Sequence, residues 1–377
     1  MKKILVIIDD LSGGGAEKVL IDILENVDKK KYKIELFLLR NEGIYVKKVE
    51  ELGIKINYLL GKRKDIINNI FYRKIKSLII KIIKFYILRS TILCNKILNR
   101  DYDIEIAFLE GEATLFLSQR KNSAKKLGWV HIDIRKRRIF RKSFEEKIYK
   151  KLNKIIFVSR DSQKNFLEMY PKLFKKTDLI YNPIPKEKII RNSIIENEVY
   201  SKTQINLIVI GRLTYQKGYD ILLQAHKKLL KEGLNYNLYI LGEGGERKKI
   251  EKYIRENNIY FNTFLLGFKE NPYPYINQAD IFVSSSRYEG YPLVLCEALC
   301  LEKPIIATKC TGPSEILEDG KYGLLAEVEN VDSLAENIKK LIINENLRKE
   351  YSDLAKERAK IFDINKTMKE IERLFDE

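Results

Sequence analysis

Residues 284–315, SSSRYEGYPLVLCEALCLEKPIIATKCTGPSE, decide how the chain folds. An apolar run, Ile281 to Val283, ends in three serines, and a polar loop with Glu289 and Gly290 follows. Pro292 fits the first turn of a helix, where its missing N–H costs nothing. The helix predicted from there runs through Glu297 to about Leu301. PIIAT (304–308) is a second short buried strand, and TGPSE (311–315) is a loop that opens a second helix. Two strand ends therefore set two helix N-termini side by side. Each has free N–H groups and a partial positive charge, which suits a diphosphate. Glu289 in the loop and Glu297 on the helix accept hydrogen bonds from hydroxyls, so one carboxylate can face a sugar and the other a ribose. Taken without its flanks, the pair is also what two ordinary surface carboxylates look like.

The same alternation of strand, turn and helix extends in both directions. INLIVIGRLTYQKGYDILLQAH (205–226) is a buried strand ending at Gly211-Arg212, with a helix from about Gly218. Arg212 and Lys217 bracket the turn, so both cations point to where a strand-end anion would sit. NLYILGEGGER (237–247) repeats the pattern, and TFLLGF (263–268) ends another strand. At the other end of the chain, residues 3–8 are a continuous apolar strand. Gly13 to Gly15 permit a tight turn, and Ala16 to Val27 carry helical spacing. This turn is neither the dinucleotide fingerprint nor a P-loop. Further apolar runs at 34–39, 54–60, 103–109, 125–130 and 154–159 alternate with helical stretches. The expected class is therefore α/β with mostly parallel, doubly wound sheets, whose ligands sit at the carboxyl ends of strands.

Glu289 and Glu297 with Gly312, Pro313 and Glu315 form an E-x7-E followed by G-P-x-E. In that context the chain resembles the retaining glycosyltransferases of family 4, in particular those of bacterial surface polysaccharide synthesis. The resemblance covers nearly the whole chain and is strongest over 205–330. It implies the GT-B fold: two Rossmann-like domains facing each other across a cleft, with a C-terminal helix crossing back to the first. The expected boundaries are 1–185 for the acceptor domain, 186–204 for a linker, 205–360 for the nucleotide-sugar domain and 361–377 for the returning helix. The activity implied is hexosyl transfer from a nucleotide sugar, UDP by family frequency, to a lipid-linked or oligosaccharide acceptor, with no metal and no cofactor. Arg212 and Lys217 would grip the diphosphate, Glu289 the sugar hydroxyls and Glu297 the ribose. Gly290, Tyr291 and Leu293 would line the donor site, and Phe268 and Lys269 would approach the base. Gly14 and Gly15 would meet the diphosphate or the acceptor, and His131, in the strand-end run Trp129 to Asp133, the donor sugar. The sequence alone leaves open a glycosidase-like carboxylate pair, a GT-B sugar-nucleotide epimerase, and a non-catalytic basic membrane or RNA-binding protein.

The composition fits this reading. The 377 residues are 45% hydrophobic, enough for two domains with large cores. The first residues enter a strand directly and no long apolar run lacks charge, so neither a signal peptide nor a spanning helix is expected. The expected place is cytoplasmic, or peripheral on the inner face of the membrane. Cys94, Cys296, Cys300 and Cys310 have no C-x-x-C pairing, so reduced thiols are expected. Asp101 and Asp103 form a D-x-D, but they precede a strand instead of ending one, so they are turn residues and not metal ligands. His226, mid-helix in LLQAHKKLL, is a structural histidine. The net charge is +18. It is densest over 62–100, with eleven basic residues and one acid, Asp65. There Phe71, Ile75, Leu78, Ile79, Ile82 and Tyr86 gather on one side of a helical wheel, and Arg73, Lys74, Lys81 and Lys84 on the other. Such a helix either lies on an anionic membrane or packs on its own sheet with a solvated basic face. Nucleic acid is not the expected partner, since aromatic stacking platforms are absent. RKRR (135–138) either lines the acceptor entrance or is a solvated loop.

Overall fold

Short runs of Ile, Val and Leu become strands buried on both faces, which is why they lack alternation. The computed structural model describes residues 1–61, 70–135, 140–195, 199–201 and 203–377, with the backbone alone for 70–77. Its first sheet holds β1 (Lys2–Ile8), β2 (Tyr32–Leu38), β3 (Lys55–Tyr58), β4 (Ile104–Ala107), β5 (Lys125–Val130), β6 (Lys154–Phe157) and β7 (Thr177–Leu179), in the order β3-β2-β1-β4-β5-β6-β7. The second holds β8 (Ile205–Ile210), β9 (Tyr236–Leu241), β10 (Thr263–Gly267), β11 (Ile281–Ser284), β12 (Ile305–Thr308) and β13 (Leu324–Ala326), in the order β10-β9-β8-β11-β12-β13. The pairs are parallel, with Ile4 opposite both Ile34 and Ile104, and Leu207 opposite both Leu238 and Ile281. Both sheets are doubly wound. The strand order reverses between β1 and β4 in one, and between β8 and β11 in the other. Those reversals open the crevices in which such sheets bind ligands.

The chain divides into two compact units: 1–182 with 365–377, and 183–364. The last helix, Ile364–Asp376, belongs to the first unit as expected. Phe375 meets Tyr32 edge-to-face at 5.4 Å, and Lys2 and Lys125 donate to the carbonyls of Phe375 and Leu374. Residues 186–204 are not simply a linker. Lys186–Ser193 is a helix with Ile189 buried, and its end is held by Asn271 and Asn277, which donate to the carbonyls of Asn192 and Ser193. Residues 196–198 and 202 of that stretch lie outside the described residues. The three-residue strand β13 was not foreseen, being too short to carry a period.

The basic segment also departs from one of its two readings. Its helix spans Ile70–Ile87. Residues 62–69, and the side chains of Phe71, Arg73, Lys74 and Ile75, on which part of the expectation rests, lie outside the described residues. Further along, the packed-helix reading is inverted. Leu78, Ile79, Ile82 and Tyr86 are exposed, Tyr86 at 65%, whereas Lys84 is buried and paired with Glu112. The inward contact is an ion pair, so the apolar side faces out. In RKRR, Arg135 bonds Asp133 and Glu168 at 3.2 Å, and 136–138 lie outside the described residues. No helix among the described residues is long and apolar enough to cross a membrane.

Candidate active site

The second unit's reversal point is built by two loops that lock together. After β8, the carbonyl of Gly211 accepts the Tyr219 hydroxyl at 2.8 Å, and the chain makes a tight turn over Tyr215–Lys217. Gly218 then adopts φ +64°, where a Cβ would fall on the carbonyl oxygen of Ser285. Only glycine allows that approach without strain. Ser285 Oγ donates to the Lys217 carbonyl at 2.8 Å, and the Arg287 N–H donates to the Gln216 carbonyl at 2.8 Å. The Arg287 guanidinium bonds Asp220 through two nitrogens at 2.9 and 2.7 Å and Glu329 at 2.8 Å, and lies over the Tyr215 ring. Arg287 thus braces the turn after β8 against the loop after β11.

This clamp delivers Lys217 Nζ to Glu289 Oε1 at 2.6 Å. Glu289 is 8% exposed and also accepts from Ser286 Oγ at 2.7 Å and Gln216 Nε2 at 3.4 Å. A carboxylate so buried needs its counter-ion and its hydroxyl donor. Arg212 is exposed and its guanidinium has no hydrogen-bond partner among the described residues. It is a cation without a protein anion at the end of β8. Past Glu289, the helix Leu293–Cys300 starts from Pro292 with no side-chain cap, which leaves backbone donors at its tip. Pro292 is the residue before that helix, not inside its first turn. Gly312 brings the next loop in, since a Cβ there would sit 2.5 Å from the Gly290 carbonyl oxygen. Glu297, Tyr291 and Leu293 are buried in the same loop–helix unit. Cys310 lies beside Glu289, and burial pushes its thiol up to about 12, so it stays protonated. Phe268 is exposed and Lys269 Nζ lies 5.5 Å from the Tyr275 ring centre, both just past β10 at the sheet's edge.

In the first unit, Gly14 caps the helix Gly15–Asn26, but the Glu17 carboxylate lies where a Gly14 Cβ would be. An acid therefore covers the helix tip at which the sequence placed an anion or an acceptor. His131 follows β5. Its N–H donates to Glu110 at 3.1 Å, and its ring is bonded to the Phe108 carbonyl and packs 4.9 Å from the Phe108 ring. Burial pushes the imidazole down to about 3, so it is neutral. Nε2 is buried without a partner. His226 is structural, bonded to Tyr236 at 2.8 Å and Thr263 at 3.1 Å, and burial lowers its pKa to about 4. Asp103 accepts the Lys3 N–H at 2.7 Å on the amino side of β4, as a turn residue would. No group of metal-ligating side chains occurs among the described residues.

The sequence reading missed four residues. Ser286 and Gln216 hold Glu289, and Arg287 braces the loops. Their only signal was position within the quoted motifs. The fourth is Asp9, which follows β1. Burial raises its carboxyl to about 7, and Oδ1 is buried without a partner. One of two adjacent acids before a glycine run carries no mark of this.

Comparison with known proteins places the architecture. Residues 191–358 match the family model for glycosyl transferases group 1. The chain is 34% identical over 265 residues to an uncharacterised glycosyltransferase of Methanocaldococcus jannaschii, covering 61% of this chain and 65% of that relative. It is 27% identical over 375 residues, 96% of each chain, to the N-acetylgalactosamine-N,N'-diacetylbacillosaminyl-diphospho-undecaprenol 4-alpha-N-acetylgalactosaminyltransferase of Campylobacter jejuni. Anabaena HepE, solved in complex with UDP and glucose, shares its fold with a TM-score of 0.78 over the whole of both chains at 19% identity. The two doubly wound units share the GT-B fold of that solved structure. Over residues 191–358 the chain is similar to the group 1 glycosyl transferases.

Proposed function

We propose that this protein moves a sugar from a UDP-sugar to a lipid-linked or glycan acceptor, retaining the anomeric configuration and needing no metal. The observation that carries the reading is the Lys217–Glu289 contact at the β8/β11 reversal, with Arg212 unpaired just past the end of β8. The diphosphate would draw Lys217 and Arg212 to itself, and the donors at the tip of the helix Leu293–Cys300 would meet the charge that grows as the C1–O bond breaks. Glu289, held by Ser286 and Gln216, would accept hydrogen bonds from the donor sugar's hydroxyls, and Glu297 from the ribose. The acceptor hydroxyl attacks the face the diphosphate leaves, and the leaving oxygen takes its proton. The acceptor is assigned to the first unit, where His131 Nε2 lacks a partner. The relative from Campylobacter acts on a diphospho-undecaprenol acceptor by its name. The exposed apolar side chains Leu78, Ile79, Ile82 and Tyr86, in a stretch with no acid over 70–100, match the anionic membrane surface that would carry such a lipid.

The test is UDP release from UDP-glucose, UDP-N-acetylglucosamine and UDP-N-acetylgalactosamine with undecaprenyl-diphosphate-linked sugars. One donor should turn over. Lys217→Ala should lower that rate about 100- to 1,000-fold, the range seen when one transition-state donor is removed. Wild-type rates in Lys217→Ala would sink the site. An inverted anomer by NMR would sink retention, and loss of activity in EDTA would sink metal independence.

A further inference from the structure

Native proteins leave few buried polar atoms unpaired, and those left over point to water or a ligand. Six such side-chain atoms occur among the described residues. Glu105 Oε2 and Asn122 Oδ1 belong to the buried cluster around Arg120. The other four are Asp9 Oδ1, Asn41 Oδ1, His131 Nε2 and Asn182 Oδ1, on residues that follow β1, β2, β5 and β7. All four therefore lie along one edge of the first sheet, the edge at which doubly wound sheets bind ligands, and none belongs to the second unit.

Asp9 stands at the reversal point of that edge, after β1 and next to the loop after β4. The charges that face it are already matched. Arg40 holds Asp10 at 2.6 Å, and Lys84 holds Glu112. Asp9 faces these four groups and bonds none of them. Beyond it, Asn41 Oδ1 follows the neighbouring strand β2, His131 Nε2 follows β5, and Asn182 Oδ1 stands farthest away, after the edge strand β7. These accept hydrogen bonds from hydroxyls and offer a phosphate nothing. The ligand chemistry is a neutral, hydroxyl-bearing sugar.

We propose that Asp9 accepts the hydrogen bond of the acceptor sugar's reacting hydroxyl and fixes its orientation. This rests on the transfer reaction proposed above. The acceptor oxygen bonds to C1 of the donor sugar, and the C1–O bond to the diphosphate breaks with its electron pair leaving on the diphosphate. The hydroxyl proton goes to the diphosphate oxygen, and Asp9 orients and takes no proton. The carboxylate accepts the hydroxyl more strongly than the protonated acid does. With burial and Glu112 raising the carboxyl and Lys84 and Arg40 lowering it, to about 7, acceptor binding weakens as pH falls through neutrality.

The test is carbon NMR of the full-length protein labelled at aspartate carboxyls, titrated with pH and with glucose, galactose, N-acetylglucosamine and N-acetylgalactosamine as probes. The resonance missing in Asp9→Asn should titrate near 7 and move with at least one sugar, and that sugar's affinity should fall about tenfold or more in the variant. Glu112→Gln removes the acid that raises Asp9 and frees Lys84, so the titration should move to lower pH. It also serves as the reporter if Asp9→Asn fails to fold. An Asp9 resonance that no sugar moves, or equal sugar affinity in Asp9→Asn, overturns the proposal. UDP-induced stabilisation, measured on the same samples, reports on the donor site. Its absence would fault the transfer reading instead.

Discussion

Lys217 and Glu289 serve as each other's counter-ion, and the backbone around them makes that possible. The decisive residue is Gly218. An alanine there combines a left-handed backbone with a clash against the Ser285 carbonyl, and a backbone atom cannot swing aside as a side chain can. Gly218→Ala should destabilise by about 1–3 kcal/mol, the scale of such backbone strain. Calorimetry would show the lower Tm and kinetics a weaker grip on UDP, since Lys217 loses its alignment. A neutral outcome in both would mean that the clamp does not position the cation. At this scale the sequence showed Glu289, Lys217 and Arg212, because strand-end spacing is local. It did not show Ser286, Gln216 or Asp9, whose roles arise between loops from strands far apart in the chain.

The helix Ile70–Ile87 shows how much an element can differ from its helical wheel. Wheel geometry alone could not say which side faces the protein. Lys84 is drawn inward because Glu112 offers a charge at the start of the helix Glu112–Gln119. Leu78, Ile79, Ile82 and Tyr86 are left outside, with Ile92 of the following helix 78% exposed. Exposed apolar area on this scale marks an interaction surface. Replacing Leu78, Ile82 and Tyr86 by serine should abolish flotation with phosphatidylglycerol vesicles. Replacing Lys81, Arg89 and Lys96 by glutamate should weaken it by about 1 kcal/mol per charge. Retained flotation in the serine variant would remove the membrane reading. The helix Lys186–Ser193 teaches the same lesson, since a polar stretch became an element once Ile189 found a core.

For the molecule as a whole, the buried histidines set a pH profile. Burial holds His131 and His226 below 6.5, to about 3 and about 4. An unfolded chain protonates both below 6.5 while the folded one does not. Their stabilising contribution is therefore full above 6.5 and is lost as pH falls toward 4. Asp9 has the opposite sign. Its carboxyl is raised from 3.8 to about 7, so its contribution is full below 3.8 and fades as pH rises through 7. Scanning calorimetry should find Tm falling on acidification below 6.5, and a flatter slope in His131→Gln with His226→Gln. An unaltered slope would show that both imidazoles are solvated.

The sequence by itself determined the parallel, doubly wound class, the helix that returns to the first unit, and the cation–carboxylate set at the strand ends. The first and the last of these rest on periodicity or spacing within a few turns of chain, and the returning helix on the resemblance to family 4. Only the tertiary structure decided that Lys217 grasps Glu289, that Lys84 turns inward, and that unpaired polar atoms line one edge of the first sheet. Those facts depend on which loops meet once strands distant in sequence lie side by side. Burial and pairing are properties of that meeting, and no local pattern encodes them.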